Sequence, residues 1–327
     1  MLNLLGNQGF RLPGRPAGAL LAGLLAGLLA LVLVAGCGGD SGEAGAVEGK
    51  IQATTTTTMI TDLVEQVGGD EVEVSGLMGP GVDPHLYEPS QGDVDQLLEA
   101  DVIFYNGLFL EGQMNDVLVQ SAQQTPAVQV TEAVPEDSLL PSQDYEGQAD
   151  PHVWWDPTLW ETTIDPVVDQ LSELKPDAAE GFEQRGEEYR QEILAAHEDA
   201  QEMAAEVPEE QRVLVTAHDA FGYFGEQYGF EVRGLQGLST ETEAGAGDVR
   251  ELAEYLAENE IPAIYIESTV PQRNVEAVQA ATRDRGWEVE IGGTLYSDAI
   301  GEPGTRGGTY PGAFLENTEK ITGGLAQ

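Results

Sequence analysis

From Asp177 to about Val207 the chain carries one unbroken helical pattern. Asp177 and Glu180 fit a capping box, and apolar or small residues follow at Phe182, Gly186, Tyr189, Ile193, Ala196, Ala200 and Met203, in alternating steps of four and three. At about 1.5 Å per residue such a helix spans about 45 Å, enough to cross a whole small domain. The same spacing would suit a coiled-coil dimer, but a stripe with two alanines and a glycine makes a weak zipper. We therefore expect a rigid strut lying along two lobes of a monomer.

On both sides of the strut, β-rich runs alternate with amphipathic segments, the pattern of α/β units with parallel sheets. Before it, "KIQATTTTTMI", "EVEVSGL", "DVIFYNGL" and "AVQVT" read as strands, with helices at "TDLVEQVGG" and at about Gly92 to Ala100, the latter capped by Ser90. A loop of some twenty residues then ends at "ADPHVWWDP". After Pro208 the strands are "RVLVTA", "FEVRGLQ", "PAIYIE" and "WEVEIGG". Helices are expected at "DAFGYFGEQYG", "GDVRELAEYLAENE", about Pro271 to Arg285 and about Gly312 to Leu325. The fold class is thus α/β, with an N-terminal lobe over residues 50–176, a linking helix over 177–207 and a C-terminal lobe over 208–327.

Residues 1–37 do not belong to that fold. Arg11 and Arg15 precede the apolar run "AGALLAGLLAGLLALVLVAG", which ends in small residues at Cys37, the layout of a secretory signal. "VAGC" resembles the bacterial lipobox, in which the cysteine is lipidated and becomes the first residue of the processed protein. A retained transmembrane helix is the competing reading, and the chain's single cysteine at that spot argues against it. With Cys37 acylated, no thiol is left for disulfides or nucleophilic catalysis. Residues 38–49, small, polar and glycine-rich, read as a flexible tether, so the protein is expected outside the cell membrane on a lipid anchor.

The formal net charge is −44, from 58 acidic against 14 basic residues, with lysine only at 50, 175 and 320. No basic surface for phosphates can be assembled from that set, which excludes nucleic acid as a partner. An acidic surface raises the local concentration of cations, but at high salt screening suppresses such steering. We read the charge as a solvated surface adapted to a salty exterior.

Of four histidines, His197 lies beside the apolar stripe of the strut and reads as a flank residue. The other three share a topological position. His85 follows "EVEVSGL", in the Gly- and Pro-rich stretch "GPGVDPHLYEPSQGD"; His152 follows "AVQVT"; His218 directly follows "RVLVTA". Asp298 follows "WEVEIGG" in the same manner. In open parallel sheets ligands bind beyond the carboxyl ends of the strands, so these side chains can meet in one crevice. Three imidazoles and a carboxylate, two from each lobe, make a four-ligand site for a divalent first-row transition metal.

The stretches "MGPGVDPHLYEPSQGDV", "ADVIFYNGLFLEGQM", "ADPHVWWDP", "TAHDAFGYFGEQYGFEVRGLQGLSTETEAGAGDV", "PAIYIESTV" and "IGGTLYSDAIGEPGTRGGTYPG" closely resemble the metal-binding lipoproteins of bacterial manganese and zinc ABC transporters, the TroA-like cluster. The resemblance runs in order over residues 50–327. It implies two α/β lobes joined by a single long helix, one metal ion between them, and ligands at His85, His152, His218 and Asp298. It also implies a membrane permease and an ATPase as partners. Zinc-specific relatives often carry a His-rich loop between the first two ligands, whereas residues 131–150 here hold no histidine. Some manganese-specific relatives have glutamate at the third ligand, where this chain has His218. The pattern resembles the branch associated with manganese, zinc and sometimes iron. Nitrogen ligands favour Zn2+ and the carboxylate suits Mn2+, so both stay open.

The expected function is extracytoplasmic capture of one divalent ion and its delivery to the permease, with no enzymatic activity. A secreted zinc metallohydrolase is the enzyme alternative, but catalytic zinc usually keeps an open position beside three protein ligands, and no H-E-x-x-H occurs. A surface adhesin is the other alternative; no feature of the sequence marks a host-binding surface.

Overall fold

The computed structural model describes residues 49–142 and 147–326. The apolar run, Cys37 and nearly all of the tether lie outside the described residues. Among those described, no helix is long and apolar enough to cross a membrane.

The first lobe is built from β1 (Ile51–Thr55), α1 (Thr58–Gly68), β2 (Val72–Gly76), α2 (Gln91–Glu99), β3 (Val102–Tyr105), α3 (Asn115–Ser121) and β4 (Ala127–Gln129). Its four strands are all parallel in the order β2-β1-β3-β4, with Ile51 opposite Val72, Ala53 opposite Val102 and Ile103 opposite Ala127. Val102, Ile103 and Phe104 are buried in succession, as expected of a parallel strand covered by helices on both faces. Ser90 caps α2 as expected, in a capping box with Asp93.

The threonine run departs from the expected strand. Although β-branched residues favour strands, β1 stops at Thr55 and Thr57 stands in an extended conformation at the start of α1. The reason lies downstream: Met59, Ile60, Leu63, Val64 and Val67 are all buried, and only helical spacing puts them on one face. The strand–helix alternation also leaves α3 and α5 (Ile164–Leu174) unassigned; the latter follows the short α4 (Pro157–Trp160).

The strut is α6 (Ala179–Ala205), 27 residues and about 40 Å long. It carries no capping box. A 3-10 turn at Pro176–Ala178 leads into it, and the cap position falls on Ala178, which offers no side-chain acceptor. Its buried stripe runs from Phe182 through Gly186, Tyr189, Ile193, Ala196 and Ala200 to Ala204, Met203 being only half-buried. Gly186 allows α5 to approach closely: a Cβ there would lie 2.8 Å from Val168 Cγ2 and 3.1 Å from Ile164 Cγ2.

The second lobe follows with β5 (Val213–His218), α7 (Gly222–Tyr228), β6 (Glu231–Gln236), α8 (Ala246–Glu258), β7 (Ala263–Glu267), α9 (Arg273–Arg283), β8 (Glu290–Leu295) and α10 (Tyr310–Leu325). Here β5 pairs in parallel with β6 and β7 with β8, and β5 lies beside β7. The strut packs on α1 and α5 of the first lobe and on α10 of the second.

One apolar core runs through both lobes, from Ile51 and Val102 by way of Trp155, Trp160 and the α6 stripe to Phe221, Phe314 and Leu325. Trp155 stacks on Phe221 with ring centroids 5.1 Å apart, and Trp160 meets Tyr310 at 5.7 Å. Parting the lobes widely would expose these aromatic faces to water, at a cost proportional to the apolar area.

Candidate metal centre

The same local device places two of the histidines. In Asp83-Pro84-His85 and in Asp150-Pro151-His152, the proline has no N–H, and the aspartate carboxylate two residues back accepts the histidine's backbone N–H, at 2.9 Å in both cases. Asp150 Oδ1 also lies 2.7 Å from His152 Nδ1. A carboxylate can only accept, so Nδ1–H is the donor of this contact and Nε2 faces the crevice.

His218 is the last residue of β5. Glu267, at the end of β7, holds it through both oxygens: Oε1 accepts its backbone N–H at 2.9 Å and Oε2 contacts Nδ1. Gly234 of β6 permits the crowding behind it, since a Cβ there would lie 2.7 Å from the His218 carbonyl carbon. Asp298 sits in the loop after β8, where the indole N–H of Trp154 donates to the neighbouring Ser297 carbonyl at 2.9 Å.

All four expected residues come together, with one candidate ligand atom from each lying within 4.8 Å of the others. His85 Nε2 is 3.3 Å from His152 Nε2 and 3.9 Å from Asp298 Oδ2. Asp298 Oδ1 is 3.5 Å from His152 Nε2, and Oδ2 is 3.2 Å from His218 Nε2. Corners of a tetrahedron with bonds of about 2.0–2.1 Å stand about 3.3–3.4 Å apart, so the spacing suits a first-row ion.

The group is buried: His152 and His218 are 0% exposed, Asp298 1% and His85 3%. Yet neither oxygen of Asp298, nor Nε2 of His218, has a hydrogen-bond partner of acceptable geometry. A buried, unbonded carboxylate is costly unless something compensates its charge.

The charges inside the crevice are strongly coupled. Burial pushes the His85 imidazole down to about 3. Burial alone would lower His218 too, but the charges of Asp298 and Glu267 hold it well above its ordinary value. Burial would raise Asp298, whereas the charges of His218, then His152 and His85, hold it well below the usual carboxylate range. The two carboxylates thus favour the protonated form of His218.

His197 stays outside the group. It is half-buried on α6, with Nδ1 2.8 Å from the Tyr228 hydroxyl. Sequence reasoning missed the carboxylates behind the imidazoles, Asp83, Asp150 and Glu267. The repeated D-P-H tripeptide was the available signal for the first two, and for Glu267 its place at the carboxyl end of a strand.

A family model described as "ZnuA: Zinc-uptake complex component A periplasmic" matches residues 54–324. The manganese-binding lipoprotein MntA of Bacillus subtilis is 46% identical over 291 residues, covering 89% of this chain and 94% of the relative. The zinc-binding protein TroA of Treponema pallidum is 45% identical over 282 residues, covering 86% and 91%. The solved structure of the periplasmic zinc-binding protein TroA of that organism superposes with a TM-score of 0.83 over 85% of this chain and all of that one. Matched along nearly its whole folded length in sequence and in architecture, the chain belongs to the ZnuA family of periplasmic metal-uptake components.

Proposed function

We propose that the protein is the extracytoplasmic substrate-binding component of a divalent-metal ABC transporter, capturing one Mn2+ or Zn2+ ion on His85, His152, His218 and Asp298. One observation carries the reading: a fully buried Asp298 carboxylate without a hydrogen bond, facing the Nε2 edges of three histidines drawn from both lobes. A divalent ion would supply the missing partner of Asp298 and His218 and take the other two imidazoles as further ligands. The names of the relatives, manganese-binding in one case and zinc-binding in the other, support both metals, and Fe2+ falls within the same ligand preferences.

The ion is cargo. For zinc, four protein ligands complete the tetrahedral shell, leaving no position for the water that a catalytic zinc would activate. Release would hand the ion to a membrane permease driven by an ATPase. Metal analysis of the purified protein tests the proposal: one tightly held divalent ion per chain, without hydrolytic turnover, is expected, and a protein that retains none refutes it.

Cys37 is the lipid attachment point in this proposal, the signal of residues 1–37 ending at that cysteine, which the processed protein keeps as its first residue, and 38–49 being the tether. Cys37→Ala is expected to release the processed protein from membranes while leaving metal affinity unchanged, because the lipid is then its only hydrophobic anchor. Fractionation of cells expressing the variant checks this; a processed variant that stays with the membrane contradicts it.

The shared core and the strut also limit how the lobes respond. Metal release is expected to rearrange the ligand loops and tilt the second lobe slightly, without the wide hinge closure of two lobes joined only by flexible strands. Solution scattering with and without metal should give nearly equal radii of gyration. A large expansion on metal removal would defeat the rigid-strut account.

A further inference from the structure

The four ligand groups are buried, so an ion needs a way in. A cavity of about 150 Å3 opens over His85. Leu108 and Phe109 form its first-lobe side, and Leu238, Ser239 and Glu241 its second-lobe side. Phe109 is 61% exposed, and both it and Leu108 sit at positive φ, 63° and 52°. That backbone is costly for residues with a side chain. It is held by the buried Glu111 carboxylate, which accepts the backbone N–H groups of Asn106 at 2.7 Å and Gly107 at 3.0 Å. The first-lobe side of the cavity is thus a fixed rim.

The second-lobe side is fastened differently. The segment after β6 is tied to its own lobe by Gln236, whose amide donates to the Thr242 carbonyl at 3.1 Å. Among the bonds between described residues, two from side chains cross the cavity from it to the first lobe. Thr240 Oγ1 donates to Asp83 Oδ2 at 2.6 Å, and Gln113 Nε2 donates to Glu241 Oε1 at 2.7 Å. Elsewhere the lobes are joined by buried contacts such as Trp154 to Ser297 and Tyr310 to Trp154, beside the common core. The Gln113–Glu241 bond is exposed, and exposed polar contacts contribute little to stability. Separation at this edge therefore meets one weak fastening, Gln113 to Glu241, and one stronger one, Thr240 to the Asp83 carboxylate.

Asp83 links this edge to the site. Its Oδ1 accepts the His85 backbone N–H while its Oδ2 accepts the Thr240 hydroxyl. We propose that residues 238–241 form a gate over the metal site, fastened by Thr240 to Asp83 and by Glu241 to Gln113, and that these fastenings set how long a captured ion stays. The proposal rests on the metal-capture reading. Thr240, Glu241 and Gln113 act here as positioning residues that touch no ion.

The test loads the purified protein with Zn2+, mixes it with excess chromophoric chelator and follows release by stopped flow. Thr240→Val keeps the side-chain shape and removes the hydroxyl; release is expected to quicken about tenfold, as befits a hydrogen bond to a charged group, with one ion still bound per chain. Thr240→Ser should restore a slow rate. Gln113→Ala, at an exposed contact, should quicken release about twofold and carries the test if Thr240→Val does not fold. Release at the wild-type rate from the folded valine variant, or from Gln113→Ala where that variant stands in, overturns the gate and leaves the metal-capture reading intact. A wild-type protein that binds no Zn2+ overturns the reading underneath it.

Discussion

Asp298→Ala is expected to weaken binding of Zn2+ or Mn2+ by at least about 100-fold. Removing a group that only orients a metal ligand typically costs about 10- to 100-fold in affinity, and Asp298 does more than orient. It is the one anion facing three imidazoles in a site 0–3% exposed, so its loss leaves a buried dication with no opposing charge in direct contact. Alanine at His85, His152 or His218 removes a neutral ligand and should cost tenfold or more. His197→Ala should leave affinity unchanged, because that imidazole bonds Tyr228 on the flank of the strut. Calorimetric titration measures each case. Thermal unfolding gives a second readout: a ligand at about a thousandfold excess over Kd stabilises by about 4 kcal/mol, and the same metal concentration stabilises a variant bound 100-fold more weakly by about 1.4 kcal/mol at most, so metal should raise the midpoint of Asp298→Ala much less than that of the wild type.

The second large effect concerns protons. An imidazole must be neutral to coordinate, and one at the ordinary value of about 6.5 would lose the ion as pH falls through about 6. His218 departs from that, because Asp298 and Glu267 hold its proton well above the ordinary value. An arriving ion must displace it. While His218 is protonated in the free protein, affinity should therefore rise about tenfold per pH unit and flatten only above its raised pKa, with about one proton released per ion. His85, pushed down to about 3, is already neutral across this range and adds no dependence. Titrations at pH 6 and pH 7, repeated in buffers of different ionisation enthalpy, read both quantities. Equal affinity at pH 7.5 and pH 5 would rule out histidine ligation.

Much of this arrangement was legible before any coordinates. The stripe from Phe182 to Ala200 has a period only a helix satisfies, so the strut could be read directly, and His85, His152 and Asp298 each lie in a loop after a strand while His218 ends one. What escaped detection depends on contacts distant in sequence. The strand propensity of Thr56 to Thr58 is overridden by the packing of Met59, Ile60 and Leu63 beneath the sheet. The start of α6 is set by the turn at Pro176, so the apparent capping pair Asp177 and Glu180 caps nothing. Glu267 stands 49 residues from the histidine it holds, and no local spacing announces that pairing. Asp83 and Asp150 lay closer to view, because the D-P-H tripeptide occurs twice and in both the aspartate accepts the histidine's N–H across a proline that has none.

The central claim is that one ion sits among four side chains contributed equally by the two lobes. Anomalous diffraction recorded at the metal absorption edge, on crystals of the protein grown with Zn2+ or Mn2+, tests it most directly. The account predicts a single strong peak per chain, within bonding distance, about 2.0–2.2 Å for zinc, of Nε2 of His85, His152 and His218 and of the Asp298 carboxylate. A peak elsewhere, or an ion held by the residues of one lobe alone, would contradict it.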